Sequence, residues 1–197
     1  MRRAPLTDFN AQGERIQALL ESGRLGRARV LALRLIEADP QHPGPWYDLG
    51  RIHSRRKQYK DAIRSFKNCI ERDPETPHAY FALANAWKKA EHLKLALASY
   101  EKAIEIDSDF TDAYINLGLT LTDLGWFRKA DIVLKRAVKL ASNEADSHTA
   151  LARNHWHLGD LESALREYRI GLALDPCSAR IQGYVKTCLD EMARRGL

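Results

Sequence analysis

Residues 43–76 read PGPWYDLGRIHSRRKQYKDAIRSFKNCIERDPET. Trp46, Leu49, Gly50 and His53 fall at i, i+3, i+4 and i+7, the apolar stripe of one helix. Tyr59, Ala62, Phe66 and Cys69 form the stripe of a second. Asp73-Pro74 ends that second helix, because the residue before a proline is pushed out of the helical region. The segment is a helix hairpin that cannot bury its own stripe.

The same hairpin recurs in both directions at a spacing of 34 residues. Stepping by 34 from Ala28 gives Ala62, Ala96, Ala130 and Ala164. From Leu49 it gives Leu83, Leu117 and Leu151, and from Gly50 it gives Ala84, Gly118 and Ala152. Phe66 leads to Tyr100, Leu134 and Tyr168, and Tyr59 leads to Leu93, Phe127 and Leu161. Asp39-Pro40 and Asp175-Pro176 repeat the closing signal, and Gly23, Gly125 and Gly159 mark the turn inside a hairpin. The 197 residues therefore divide into a leader, 1–8, five repeats, 9–42, 43–76, 77–110, 111–144 and 145–178, and a last helix, 179–197. Stacked neighbours bury one another's stripes, which makes the expected fold an all-α solenoid.

The ends read as caps. Gln12 and Arg15 stand where the other repeats carry large apolar residues, so the outer face of the first repeat is expected to be polar. The last helix carries Ile181, Val185, Cys188, Leu189 and Met192 on one side. Arg180, Gln182, Lys186, Asp190, Arg194 and Arg195 lie opposite. A complete array is the expectation.

Composition narrows the class further. Hydrophobic residues are 45% and charged residues 29%, a soluble globular balance. No run approaches the about 18 apolar residues of a membrane span, and MRRAPLTDFNAQGER lacks the apolar core of a secretory signal. Cys69, Cys177 and Cys188 are odd in number and irregular in spacing, which fits a reducing, cytoplasmic setting. The net charge of +5 is mild, with the largest excess, 8 cations against 5 anions, in 43–76. The run Arg55-Arg56-Lys57, with Arg51, Lys60 and Arg64, reads first as a solvated helix face. An acidic peptide is the next reading. RNA is a third, because the basic excess does not continue along every repeat.

No chemistry is assembled. There is no G-x-S-x-G, no Walker loop and no dinucleotide fingerprint. His148 and His155 occupy stripe columns, while His157 is two residues from His155 and points elsewhere on the helix. No cysteine or carboxylate completes a metal set at zinc spacing. Neither an enzyme nor a cofactor site is expected.

These columns resemble the tetratricopeptide repeat family, with its W-x2-L-G-x2-Y first helix and A-x3-F-x2-A second helix ending in proline. Residues 43–76 carry Trp46, Leu49, Gly50, Ala62, Phe66 and Pro74, with His53 where tyrosine is usual. Residues 77–110 carry Tyr80, Leu83, Ala84, Trp87, Ala96, Tyr100 and Ala103. Residues 111–144 carry Tyr114, Leu117, Gly118, Gly125, Ala130 and Ala137. Ser108 and Ser142 depart from the pattern by replacing the closing proline.

The resemblance implies a right-handed superhelix whose first helices line a concave groove for a peptide or protein. On it, the groove residues are Tyr47, Arg51 and Arg55, then Phe81, Asn85 and Lys88. Asp112, Ile115, Asn116, Leu119 and Asp123 follow, and then Asp146, Thr149, Arg153 and Trp156. The charges suggest a partner with an apolar anchor and an acidic end lying toward Arg51 and Arg55. The carboxylate clamp of chaperone-binding relatives is not reproduced. Asn85 and Asn116 match it, but Phe81, Asp146 and Ala150 stand in its cationic positions. The asparagine ladder of protein glycosyltransferases also fails, its column reading Glu14, Asp48, Ala82, Asn116 and Ala150. The expected function is a non-catalytic protein–protein adaptor. A targeting or regulatory subunit of a separately encoded enzyme, such as a transferase, is the alternative, and RNA binding comes third.

Overall fold

A computed structural model describes residues 8–196; apart from Asp8, the expected leader lies outside them. Among the described residues there are eleven helices and no strand. First helices are α1 (Phe9–Glu21), α3 (Pro43–Arg55), α5 (Pro77–Lys89), α7 (Thr111–Asp123) and α9 (Ala145–Leu158). Second helices are α2 (Leu25–Ala38), α4 (Tyr59–Arg72), α6 (Leu93–Ile106), α8 (Phe127–Leu140) and α10 (Leu161–Leu174). The chain finishes on α11 (Ala179–Arg195). Each helix start follows its counterpart by the 34-residue step read from the sequence.

Local chemistry sets these boundaries. The turns inside the hairpins need one left-handed residue, supplied by Gly23, Gly125 and Gly159 at φ between +70° and +80°. Lys57 and Glu91 occupy the same column at φ 59° and 64°. At the far end, Asp39 and Asp73 leave the helical region, and their carboxylates accept from the backbone N–H of Gln41 and Glu75 at 2.9 and 3.2 Å. Asp107 accepts from the N–H of Asp109 at 3.1 Å. The turn therefore closes at Ser108 without a proline. Pro43 and Pro77 then open α3 and α5, where a missing N–H costs nothing.

The chain forms two compact units, one running to Ile106 and the other starting at Asp107. In the first, α2 packs on α3 and α4 on α5, besides the pairing within each hairpin. Its cores join Ile16, Leu20, Ala32 and Leu35 to Leu49 and Ile52, and Ile63 and Phe66 to Leu83 and Ala86. In the second, α8 packs on α9 and α10 on α11, and one core joins Ala152, Leu161 and Tyr168 to Cys188. Ala28, Ala62, Ala96, Ala130 and Ala164 are all 0% exposed. A methyl at Gly50 would stand 2.5 Å from the Phe66 ring, and one at Gly118 would stand 2.4 Å from Leu134. These columns hold small residues because the facing helix fills the space.

Two expectations about the caps are corrected. Gln12 is not on a polar outer face: it is 1% exposed and buried in the column of Trp46, so Arg15 alone of the pair faces solvent. On α11, Ile181 and Cys188 are buried and Val185 and Met192 pack on the core, but Leu189 is exposed. It sits one residue round from Cys188, about 100° off the buried stripe.

Candidate functional site

In the first unit, α1, α3 and α5 are neighbours and present their first-helix side chains together. Tyr47 is half-buried with its ring 5.8 Å from that of Phe66, and burial raises its phenol pKa. Arg51 lies over the Tyr47 ring at 5.8 Å, donates to Asp48 Oδ1 at 3.2 Å and donates again to Gln17 Oε1. Arg55 donates to the Leu20 carbonyl at 2.9 Å. Both arginines thus tie α3 to α1. Arg51 already shares its charge with Asp48, whereas Arg55 is exposed and its one bond, to a neutral carbonyl, leaves its charge uncompensated. Asp48 is 9% exposed; burial pushes its carboxyl up to about 6, against the opposing pull of Arg51.

On α5, Phe81 is half-buried with its ring 5.8 Å from Tyr100. The Tyr100 hydroxyl donates to Asn85 Oδ1 at 2.5 Å, which fixes the Asn85 amide and leaves its nitrogen to donate elsewhere. Lys88 is half-buried on the same helix. Phe81, Asn85 and Lys88 combine an apolar ring, an oriented amide and a cation. That set suits a peptide.

In the second unit the expected residues are less uniform. Leu119 and Asn116 are half-exposed, and the Asn116 amide donates to the Asp112 carbonyl one turn back at 2.9 Å. Ile115 is only 6% exposed, so it offers little surface. Arg153 donates to Asp123 at 2.6 Å, joining α9 to α7, and Arg180 donates to Asp146 at 2.6 Å, joining α11 to α9. Two of the three expected acidic edge residues are therefore already paired. Thr149 is buried and donates to the Ala145 carbonyl. Trp156 packs on the Leu161 and Tyr168 core.

Asn154 was not singled out from sequence. It is 0% exposed, accepts from Thr122 Oγ1 at 3.1 Å and donates to the Phe127 carbonyl at 3.0 Å. It clips α9 to α7 and to the start of α8. A signal existed: its column otherwise reads Ala18, Ile52, Ala86 and Thr120, so an amide there needed buried partners.

The histidines have structural partners. His148 Nδ1 lies 2.7 Å from Glu167 Oε2, and its Nε2 lies 3.1 Å from the Ser142 carbonyl. His155 sits between Asp131 and Asp160 at 3.8 Å from each. His157 stacks on Phe127 at 5.7 Å. Among the described residues, no group of three or more histidine, cysteine or acidic side chains could hold a metal ion. Cys69 is buried, which pushes its thiol up to about 11, far from a reactive thiolate. No helix among the described residues is long and apolar enough to cross a membrane.

Sequence models of the tetratricopeptide repeat match residues 43–86 and 111–144, and a TPR repeat model matches 91–125. No curated protein matches the chain in sequence. Solved structures do match in fold. YrrB, described as a TPR protein with an unusual peptide-binding site, is 20% identical with a TM-score of 0.72, over 91% of this chain and 92% of its own. A thermophilic TPR protein of Thermus thermophilus is 23% identical with a TM-score of 0.73, over 92% and 98%. MamA of Desulfovibrio magneticus RS-1 is 20% identical with a TM-score of 0.76, over 87% and 97%. At these identities the likeness is one of fold. Helix hairpins at a 34-residue step, three matching repeat models and these solved folds agree, and the chain is a tetratricopeptide repeat protein with an α-solenoid fold.

Proposed function

We propose that the chain is a non-catalytic adaptor that holds a peptide or protein segment on its first-helix faces. Tetratricopeptide repeats are protein-interaction modules, and YrrB is a fold relative described with a peptide-binding site. The observation that carries the reading is the set on α5: Phe81 half-buried, Asn85 oriented by Tyr100, and Lys88 one turn on. Tyr47 on α3 belongs to the same face, and in the second unit Asn116, Leu119 and Arg153 are the counterparts on α7 and α9. Ile115 lies beneath these faces, Trp156 packs on the core behind them, and Arg51 and Arg55 border them while bonding to α1.

The same faces would serve a targeting subunit of a separately encoded enzyme, so the identity of the captured partner decides between the two roles. Three cysteines without a disulfide favour a reducing compartment, and we place the chain in the cytoplasm on that ground. The test is quantitative affinity capture with the wild-type chain and with Phe81→Glu combined with Leu119→Glu, both checked for helicity by circular dichroism. A protein held by the first bait and lost from the second supports the reading. One held equally by both refutes it, as does recovery of RNA in place of protein. Arg51 and Arg55 are poor choices for this test, since changing them also loosens α1 from α3.

A further inference from the structure

The cations left over by the first-helix face gather at another edge of the first unit. Where α1 turns into α2, Gly23 and Gly26 leave a notch walled by Arg24, Arg27 and, from the next hairpin, Arg56. Methyl groups built on either glycine would meet nothing within 4 Å, so the notch is open. One hairpin further along the same edge, Tyr59, Ile63, Trp87 and Ala90 line an apolar notch with Lys57 and Lys60 on its rim. All five cations are exposed, and among the described residues none has a side-chain hydrogen bond or ion pair. Of the carboxylates beside them, Glu21 accepts from Gln17, and Asp61, the one carboxylate lining the second notch, faces Arg64 at 3.8 Å.

We infer that this turn edge is a second docking surface, which takes an acidic segment of a partner protein carrying one apolar anchor. The inference rests on the chain being a protein-binding scaffold and adds a surface away from the first-helix face. Unpaired cations at a short, open ledge attract carboxylates from a distance and keep them without first breaking an internal ion pair. The apolar notch beside them gives one side chain a place to leave water. Nucleic acid fits less well. The Trp87 ring has Lys67 over it at 5.4 Å and His92 edge-on at 5.3 Å, which leaves Tyr59 as the one other ring at the notch, short of the row of stacking faces a single strand uses. A membrane fits less well too, because the exposed large hydrophobics of this unit, Val30 and Leu95, are two single side chains on α2 and α6 that line neither notch.

The test is fluorescence polarisation on the full chain with a short fluorescein-labelled peptide of glutamates around one leucine. Competitors are the same peptide with lysines for glutamates, an oligouridylate of equal length, and phosphatidylserine vesicles. The expected result is binding that weakens as salt is raised, and that falls about tenfold or more when Arg24→Glu and Arg56→Glu are combined. Arg24→Lys with Arg56→Lys should keep most of it, and Phe81→Glu should leave it unchanged. No binding, equal binding by the charge-reversed chain, or stronger competition by oligouridylate or vesicles would overturn the inference. Loss of this peptide with Phe81→Glu would move it to the first-helix face and also overturn the edge assignment. The adaptor reading itself is judged separately, by whether the captured partner depends on Phe81.

Discussion

Residues 23, 57, 91, 125 and 159 all sit in the left-handed region, yet only three of them are glycine. A side chain there crowds the following carbonyl, at a cost of about 1 kcal/mol. Lys57→Gly and Glu91→Gly should each stabilise the chain by roughly 0.5–1 kcal/mol, and Gly125→Ala should destabilise it by about 1 kcal/mol, as read from urea unfolding midpoints. The glycines made this column legible in sequence; Lys57 and Glu91 hid it, because a residue name does not state its φ. Asp48 makes a second prediction. Its folded pKa, about 6, lies above the ordinary 3.8, so between those values the native state binds more protons than the unfolded one. Its contribution to stability therefore falls as pH rises from about 4 to 6 and is flat above, by up to about 3 kcal/mol. Asp48→Asn should remove that downward slope when urea unfolding is compared with wild type across this window. An unchanged slope would mean that Asp48 is solvated in the native state.

At the scale of the element, the small-residue columns decide how closely two helices approach. Ala96→Leu should overpack the α5–α6 hairpin by roughly 1–3 kcal/mol, and Gly118→Ala should press on Leu134 with a smaller loss, both read from thermal unfolding. The Asn154 clip predicts a loss of about 1–3 kcal/mol for Asn154→Ala, since both bonds across the helices go, although the Thr122 hydroxyl keeps the Gly118 carbonyl at 3.0 Å as an acceptor. A Thr122→Val, Asn154→Ala double-mutant cycle should show coupling between the two. The helices themselves were legible, because a stripe repeated at one step cannot fall in register by accident. Gln12 and Leu189 were not. A polar residue can be buried by its place in a column, and an apolar one exposed by sitting one residue off the stripe.

At the scale of the whole molecule, function lies in what the first helices present once packing has taken its share. Sequence placed these side chains on the right helices but could not tell a free arginine from one already bonded. Arg51 and Arg55, read from sequence as a ligand's counter-charge, also tie α3 to α1, and Arg24, Arg27 and Arg56, from two different hairpins, are brought to one notch by the fold. Asn85 was named for its position, and its bond from Tyr100 gives that position an orientation. The most direct test of the adaptor reading is hydrogen–deuterium exchange on the full chain, with and without the protein it captures. Slower exchange in α5 and its first-helix neighbours, with α4, α6 and α8 unchanged, is the predicted result. Protection confined to the second helices, or absent from α5, would contradict it.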